Sequence, residues 1–202
     1  TRALAALALG AAAGLALSAC SSDGGTGPAV ADGNAAACPG DVVEVVVSVG
    51  QWSDVVKELG GDCATVTTVV ASSAVDPHDF DPSAADIAAF SDAQLVVLNG
   101  GGYDSWAADA ADSLDSPPRT VTATDLDRTN GSDPHVWYEP DVVEDTAEAV
   151  SDALTELSPD AADYLTGRRA DVASAFDAYR ATVDEVRAVA AGRTYAATET
   201  VF

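Results

Sequence analysis

Residues 42–70, VVEVVVSVGQWSDVVKELGGDCATVTTVV, decide the fold. The run 42–49 is rich in β-branched residues and bounded by Gly40 and Gly50, so it reads as a buried strand. A helix follows over 52–59 and is stopped by Gly60-Gly61. Residues 65–70 are a second strand. The alternation continues outward. Asp81-Pro82 reads as an N-cap with proline at the first helical position, which predicts a helix to about Phe90. Residues 95–99 form a third strand, and Gly100-Gly101-Gly102 turns the chain into a helix around Trp106. A weaker fourth strand covers 121–123, and 141–157 is an acidic, alanine-rich helix. Strands alternating with helices imply an α/β lobe over 41–157, a parallel sheet with helices on both faces and right-handed crossovers.

Ser158-Pro159 then caps a longer helical pattern. Tyr164, Leu165, Val172, Phe176, Tyr179, Val183 and Val186 recur at helical spacing, and the pattern runs over 158–191. At 1.5 Å per residue this helix is roughly 45 Å long. That is too long for a crossover inside a small lobe, and it reads as a rigid linker helix. Residues 193–198 open a further strand, so 192–202 reads as the start of a second α/β lobe, truncated at Phe202. The chain contains no methionine, a second sign of a fragment.

Composition narrows the partners. The 202 residues carry 33 acidic side chains against 9 basic ones, a formal charge of -24. Such a surface repels nucleic acid and anionic headgroups and weakly enriches cations. Most of the charge serves solvation and does not identify a ligand.

The N-terminus carries export signals. Residues 3–19 form an apolar Ala/Leu run behind Arg2, too short and alanine-rich for a membrane span but suited to a signal peptide over 1–19. The run closes on Leu17-Ser18-Ala19-Cys20, which resembles the lipobox of bacterial lipoproteins. Cys20 is then the first mature residue and carries the lipid. Residues 20–40, rich in Gly, Ser, Ala and Asp, read as a flexible tether. With Cys20 acylated, Cys38 and Cys63 remain as an even pair in an oxidising compartment. One precedes the first strand and the other the second, so a disulfide between them fits if those strands are neighbours. A Cys/His metal site is the competing reading. It would require a reduced thiolate outside the cytoplasm.

The chemistry lies in a repeated tripeptide. The only two histidines stand in Asp76-Pro77-His78 and Asp133-Pro134-His135, and two of the three Asp-Pro steps in the chain lead into them. Each proline removes a donor, fixes φ and extends its predecessor, so the histidine is presented from a stiff loop. His78 follows the second strand and His135 the fourth, at the carboxyl-end edge where open α/β sheets bind ligands. Glu199 follows the next strand at the same edge of the second lobe. Two imidazoles and a carboxylate would begin a first shell for Zn2+ or Mn2+, closed by a fourth ligand beyond Phe202. Asp79 and Asp81 read as outer-shell or helix-capping groups.

At these residues the chain resembles the metal-binding receptors of bacterial ABC importers, a family of zinc- and manganese-binding lipoproteins and adhesin-like antigens. The matching stretches are VVVSVGQWSDVVKELGGD, VDPHDFDPSAADIAAFSDAQLVVLNGGGYDSW, DPHVWYEP, the linker helix and the closing ATETVF. The resemblance implies two α/β lobes joined by a rigid helix, with the metal between them and an ABC permease as partner. It sets His78, His135 and Glu199 in the first three ligand positions, and an aspartate of the second lobe in the fourth. A glutamate at the third position and a histidine-free segment 125–132 lean toward Mn2+, yet this donor set also binds Zn2+. The implied protein is a monomeric receptor on the outer face of the cytoplasmic membrane, with no catalytic residue. Two alternatives use the same histidines. One is a metal-dependent hydrolase with Asp79 as general base, although no H-E-x-x-H, G-x-S-x-G or P-loop pattern supports it. The other is a receptor for an organic ligand or metal chelate, with Trp52, Trp106 and Trp137 as an aromatic wall.

Overall fold

The computed structural model describes residues 37–129, 131–194 and 196. The segment 1–19 expected as a signal peptide, Cys20, Glu199 and half of the strand expected over 193–198 lie outside the described residues. Four strands form one sheet, β1 (Val43–Val49), β2 (Ala64–Val70), β3 (Leu95–Leu98) and β4 (Arg119–Thr122). Their spatial order is β2-β1-β3-β4 and every pairing is parallel, with Val45 opposite Val66 on one side and Leu95 on the other.

Period-two alternation assigns the strand side chains to two cores. Val43, Val45, Val47, Val49, Leu95 and Val97 face one layer, made by α1 (Gly50–Gly60), α4 (Pro140–Leu157) and the start of α5 (Ala162–Ala190). Val46, Val96 and Leu98 face the other, made by Phe90 and by Ala107, Ala110 and Ala111 of α3 (Ser105–Asp112). Each buried valine contributes about 1.5 kcal/mol or more by leaving water. The apolar run of β1 is therefore a consequence of coverage on both faces.

Helix α1 buries Trp52, Val56 and Leu59, which share one helical stripe. It ends because Gly61 takes φ 51°, a left-handed value that L side chains resist, and its N–H closes on the Lys57 carbonyl. Immediately after it, Cys38 and Cys63 are joined in a disulfide.

Three local expectations are corrected. The helix assigned to Asp81-Pro82 starts later, as α2 (Ala84–Ala88). Ser83 accepts from the Asp86 N–H while Asp86 accepts from the Ser83 N–H. This reciprocal pair satisfies two orphan donors, so it outcompetes a single aspartate cap. The fourth strand is Arg119–Thr122, and Ala123 already belongs to a 3-10 turn over Ala123–Leu126. Ser158 does not cap the long helix with its side chain. A 3-10 turn over Pro159–Ala161 intervenes, and the buried Ser158 hydroxyl makes no described hydrogen bond.

Helix α5 has 29 residues, about 44 Å at 1.5 Å per residue. Its first half packs Leu165, Val172 and Phe176 against the layer of α1 and α4. Three arginines fasten it there. Arg168 reaches the carbonyl and carboxylate of Glu58, Arg169 reaches Glu148 and Asp152, and Arg180 reaches Glu144 and Asp141. Farther along, Tyr179, Val186 and Val189 are exposed among the described residues.

Candidate metal centre

Both histidines sit where the sheet's carboxyl ends open. After β2, residues 71–76 carry the chain to Asp76, whose extended backbone (φ -79°, ψ 115°) suits a residue before proline. The Asp76 side chain accepts the His78 backbone N–H at 3.0 Å, closing a short 3-10 turn over Pro77–Asp79. After β4 the same device recurs, with Asp133 accepting the His135 N–H at 2.9 Å. The Asp-Pro-His tripeptide is thus an Asx turn that aims a histidine, with proline stiffening it. Sequence reasoning credited the proline and overlooked the aspartate. The identical two-residue offset was the available signal.

Asp133 does more than Asp76. Its Oδ1 also lies 2.6 Å from the His135 ring Nδ1. The His135 backbone N–H, reinforced by the ring, holds the Asp133 carboxyl below the usual carboxylate range. An ionised Asp133 stabilises the tautomer with hydrogen on Nδ1, which leaves the lone pair on Nε2. Asp79 and Asp81 were expected to serve this purpose or to cap a helix. Neither makes a hydrogen bond to an imidazole among the described residues, and both are exposed.

The two imidazole centroids stand 6.0 Å apart. With metal–nitrogen bonds of about 2.1 Å, two rings on one ion lie at most about 6.5 Å apart, so this pair needs little movement to share one. Tyr103 is wedged beside them, 4.6 Å from the His78 ring and 5.9 Å from that of His135. Gln51 donates to its hydroxyl at 3.2 Å. Trp137 lies 5.2 Å from His135 and 5.1 Å from Tyr103. A cleft of about 620 Å³ opens in front of the histidines and extends past Ser72 and Asp76 to Gly50.

The three tryptophans do not form one wall. Trp52 is buried in the core, Trp106 packs on Phe80 and Phe90, and Trp137 alone borders the histidines. Among the described residues no group of three His, Cys, Asp or Glu forms a metal cage. His78 and His135 are brought together, and Glu199 lies outside the described part.

A parallel α/β lobe presenting two histidines from strand-end loops has the architecture of one half of a two-lobed metal receptor. The family described as ZnuA, zinc-uptake complex component A, periplasmic, matches residues 45–202. The chain belongs to that family. The manganese-binding lipoprotein MntA of Halalkalibacterium halodurans is 30% identical over 130 residues, covering 61% of this chain and 43% of that protein. The high-affinity zinc uptake system protein ZnuA of Bacillus subtilis is 26% identical over 145 residues, covering 62% and 45%. The crystal structure of a zinc-bound ZnuA carrying a 138-173 deletion superposes with a TM-score of 0.65 at 23% identity, covering 72% of this chain and 58% of that one. That last likeness bears on the fold alone. The chain spans less than half the length of the two curated relatives it matches here.

Proposed function

We propose that this chain is the metal-receiving part of an extracytoplasmic solute-binding protein that captures Zn2+ or Mn2+ and hands it to an ABC permease. The observation that carries the reading is the pair of imidazoles 6.0 Å apart at the carboxyl-end edge of a parallel sheet. His78 and His135 supply two ligands, Glu199 the third, and an aspartate of a second lobe the fourth. In this reading residues 1–19 are a signal peptide, Cys20 carries the lipid and 20–40 form the tether. Residues 41–157 are the first lobe, 158–191 the linker helix and 192–202 the start of the second lobe. Relatives named for manganese and for zinc support both ions as cargo. The protein binds and releases without turnover.

Calorimetric titration of the whole protein with Zn2+ and with Mn2+ tests the reading. His78→Ala and His135→Ala are each expected to lose at least about 100-fold in affinity, since one of a few inner-shell bonds is removed. Wild-type affinity in both variants would overturn it.

A further inference from the structure

Behind the histidines lies a buried polar knot to which the metal reading assigns no role. Asn99, fully buried just beyond β3, accepts from Trp52 Nε1 at 3.1 Å through Oδ1. Its Nδ2 donates to the Pro134 carbonyl at 2.8 Å and the Gly100 carbonyl at 3.2 Å. Asp104, 1% exposed, collects the donors behind it. One carboxyl oxygen accepts the Asn99 N–H at 2.7 Å and the Ser48 hydroxyl, and the other accepts the Gly100 N–H at 2.8 Å.

Polar groups are tolerated at this depth only when partnered, and a fully partnered cluster has one arrangement. This one ties β1, α1, β3 and the start of α3 to the peptide immediately before His135. It sits where β1 has β2 on one side and β3 on the other, the reversal point of the strand order. The loop it grips has no helix or strand ladder of its own over 131–135. Contact with the glycine turn adds to the grip, because a Cβ on Gly101 would stand 3.3 Å from Pro134 Cβ. The hydrogen bond from Asn99 therefore holds the peptide that leads directly into His135.

We propose that Asn99 is a positioning residue for the metal site, holding the Pro134 carbonyl so that His135 is placed before the ion arrives, with Asp104 orienting Asn99 in turn. The proposal rests on His135 being a ligand. Asn99→Asp keeps the size but turns an acceptor toward the Pro134 carbonyl, and Asn99→Ser withdraws the donor. In the whole protein, Zn2+ and Mn2+ affinities are measured by competition with a chromogenic chelator, alongside the thermal midpoint of the metal-free form. Loss of a supporting partner behind a ligand costs about 10–100-fold in affinity. That loss is expected for Asn99→Asp, with a smaller one for Asn99→Ser; both lower the metal-free midpoint by several degrees, Asn99→Asp more, while the protein stays folded. In a His135→Ala background, Asn99→Ser is expected to have no further effect, because nothing remains to be positioned.

An equal loss in that background, or wild-type affinity in the folded single variants, would overturn the role. So would loss of folding in both Asn99 variants, which would make Asn99 a general core residue. If His135→Ala itself binds normally, the metal reading fails instead.

Discussion

Asp133 Oδ1 lies 2.6 Å from His135 Nδ1 and accepts the His135 backbone N–H at 2.9 Å. One oxygen therefore fixes both the loop and the ring it carries. His78 has the loop half of this arrangement from Asp76. The two imidazoles are unequally prepared, with His135 the more constrained.

Asp133→Ala removes the acceptor for both contacts. Metal affinity is expected to fall about 10–100-fold, as for other partners of ligating histidines. Asp133→Asn keeps an acceptor without the charge and should lose only a few-fold. Chelator competition separates the two, and equal effects would show that a neutral acceptor cannot replace the carboxylate in orienting the ring.

Acid should weaken the fold in a narrow range. Asp133 is held low chiefly by the His135 N–H, Asp141 chiefly by the Arg180 hydrogen bond, and Asp86 chiefly by Ser83. A carboxylate with a lower pKa folded than unfolded binds fewer protons in the native state. Its contribution is complete above the unfolded value near 3.9 and is lost as pH falls through the folded value. The metal-free thermal midpoint should therefore be insensitive to these groups from about pH 7 to 5 and drop below about pH 4.

The Cys38–Cys63 bond closes a separation of 25 residues. Chain entropy assigns such a loop about 3 kcal/mol, equivalent to roughly 6–12 °C in a domain of this size. Cys38→Ala combined with Cys63→Ala should lower the midpoint by about that much. Metal affinity should stay unchanged, because Cys63 precedes β2 whereas His78 follows its opposite end.

The seat of α5 depends on its partly covered arginines. Arg168, with its side chain 27% exposed, bridges to the carbonyl and carboxylate of Glu58, whereas the Arg187–Asp184 pair is 74% and 72% exposed. By urea unfolding, Arg168→Ala should lose about 1–2 kcal/mol, for two hydrogen bonds to a charged group at the surface. Arg187→Ala should fall within about 0.5 kcal/mol of wild type.

Much of this architecture is written in short-range pattern. The apolar run 42–49, the Gly60-Gly61 stop and the alternation of elements determined a parallel α/β sheet, because strand and helix periodicities act over neighbouring residues. The repeated Asp-Pro-His likewise determined two stiffly presented histidines, since an Asx turn closes within three residues. Helix starts were less legible where capping groups compete, as Ser83 does with Asp81.

Only the tertiary structure decided the rest. Parallel pairing placed the carboxyl ends of the two outer strands, β2 and β4, at one end of the sheet, and the loops following them closed the gap so that His78 and His135 stand 6.0 Å apart across 57 residues of chain. The tertiary structure also gave Asn99 its partner 35 residues away in Pro134, and it covered half of the apolar stripe of α5. Such contacts follow from which surfaces pack together, a choice set by the whole core. No local spacing encodes it.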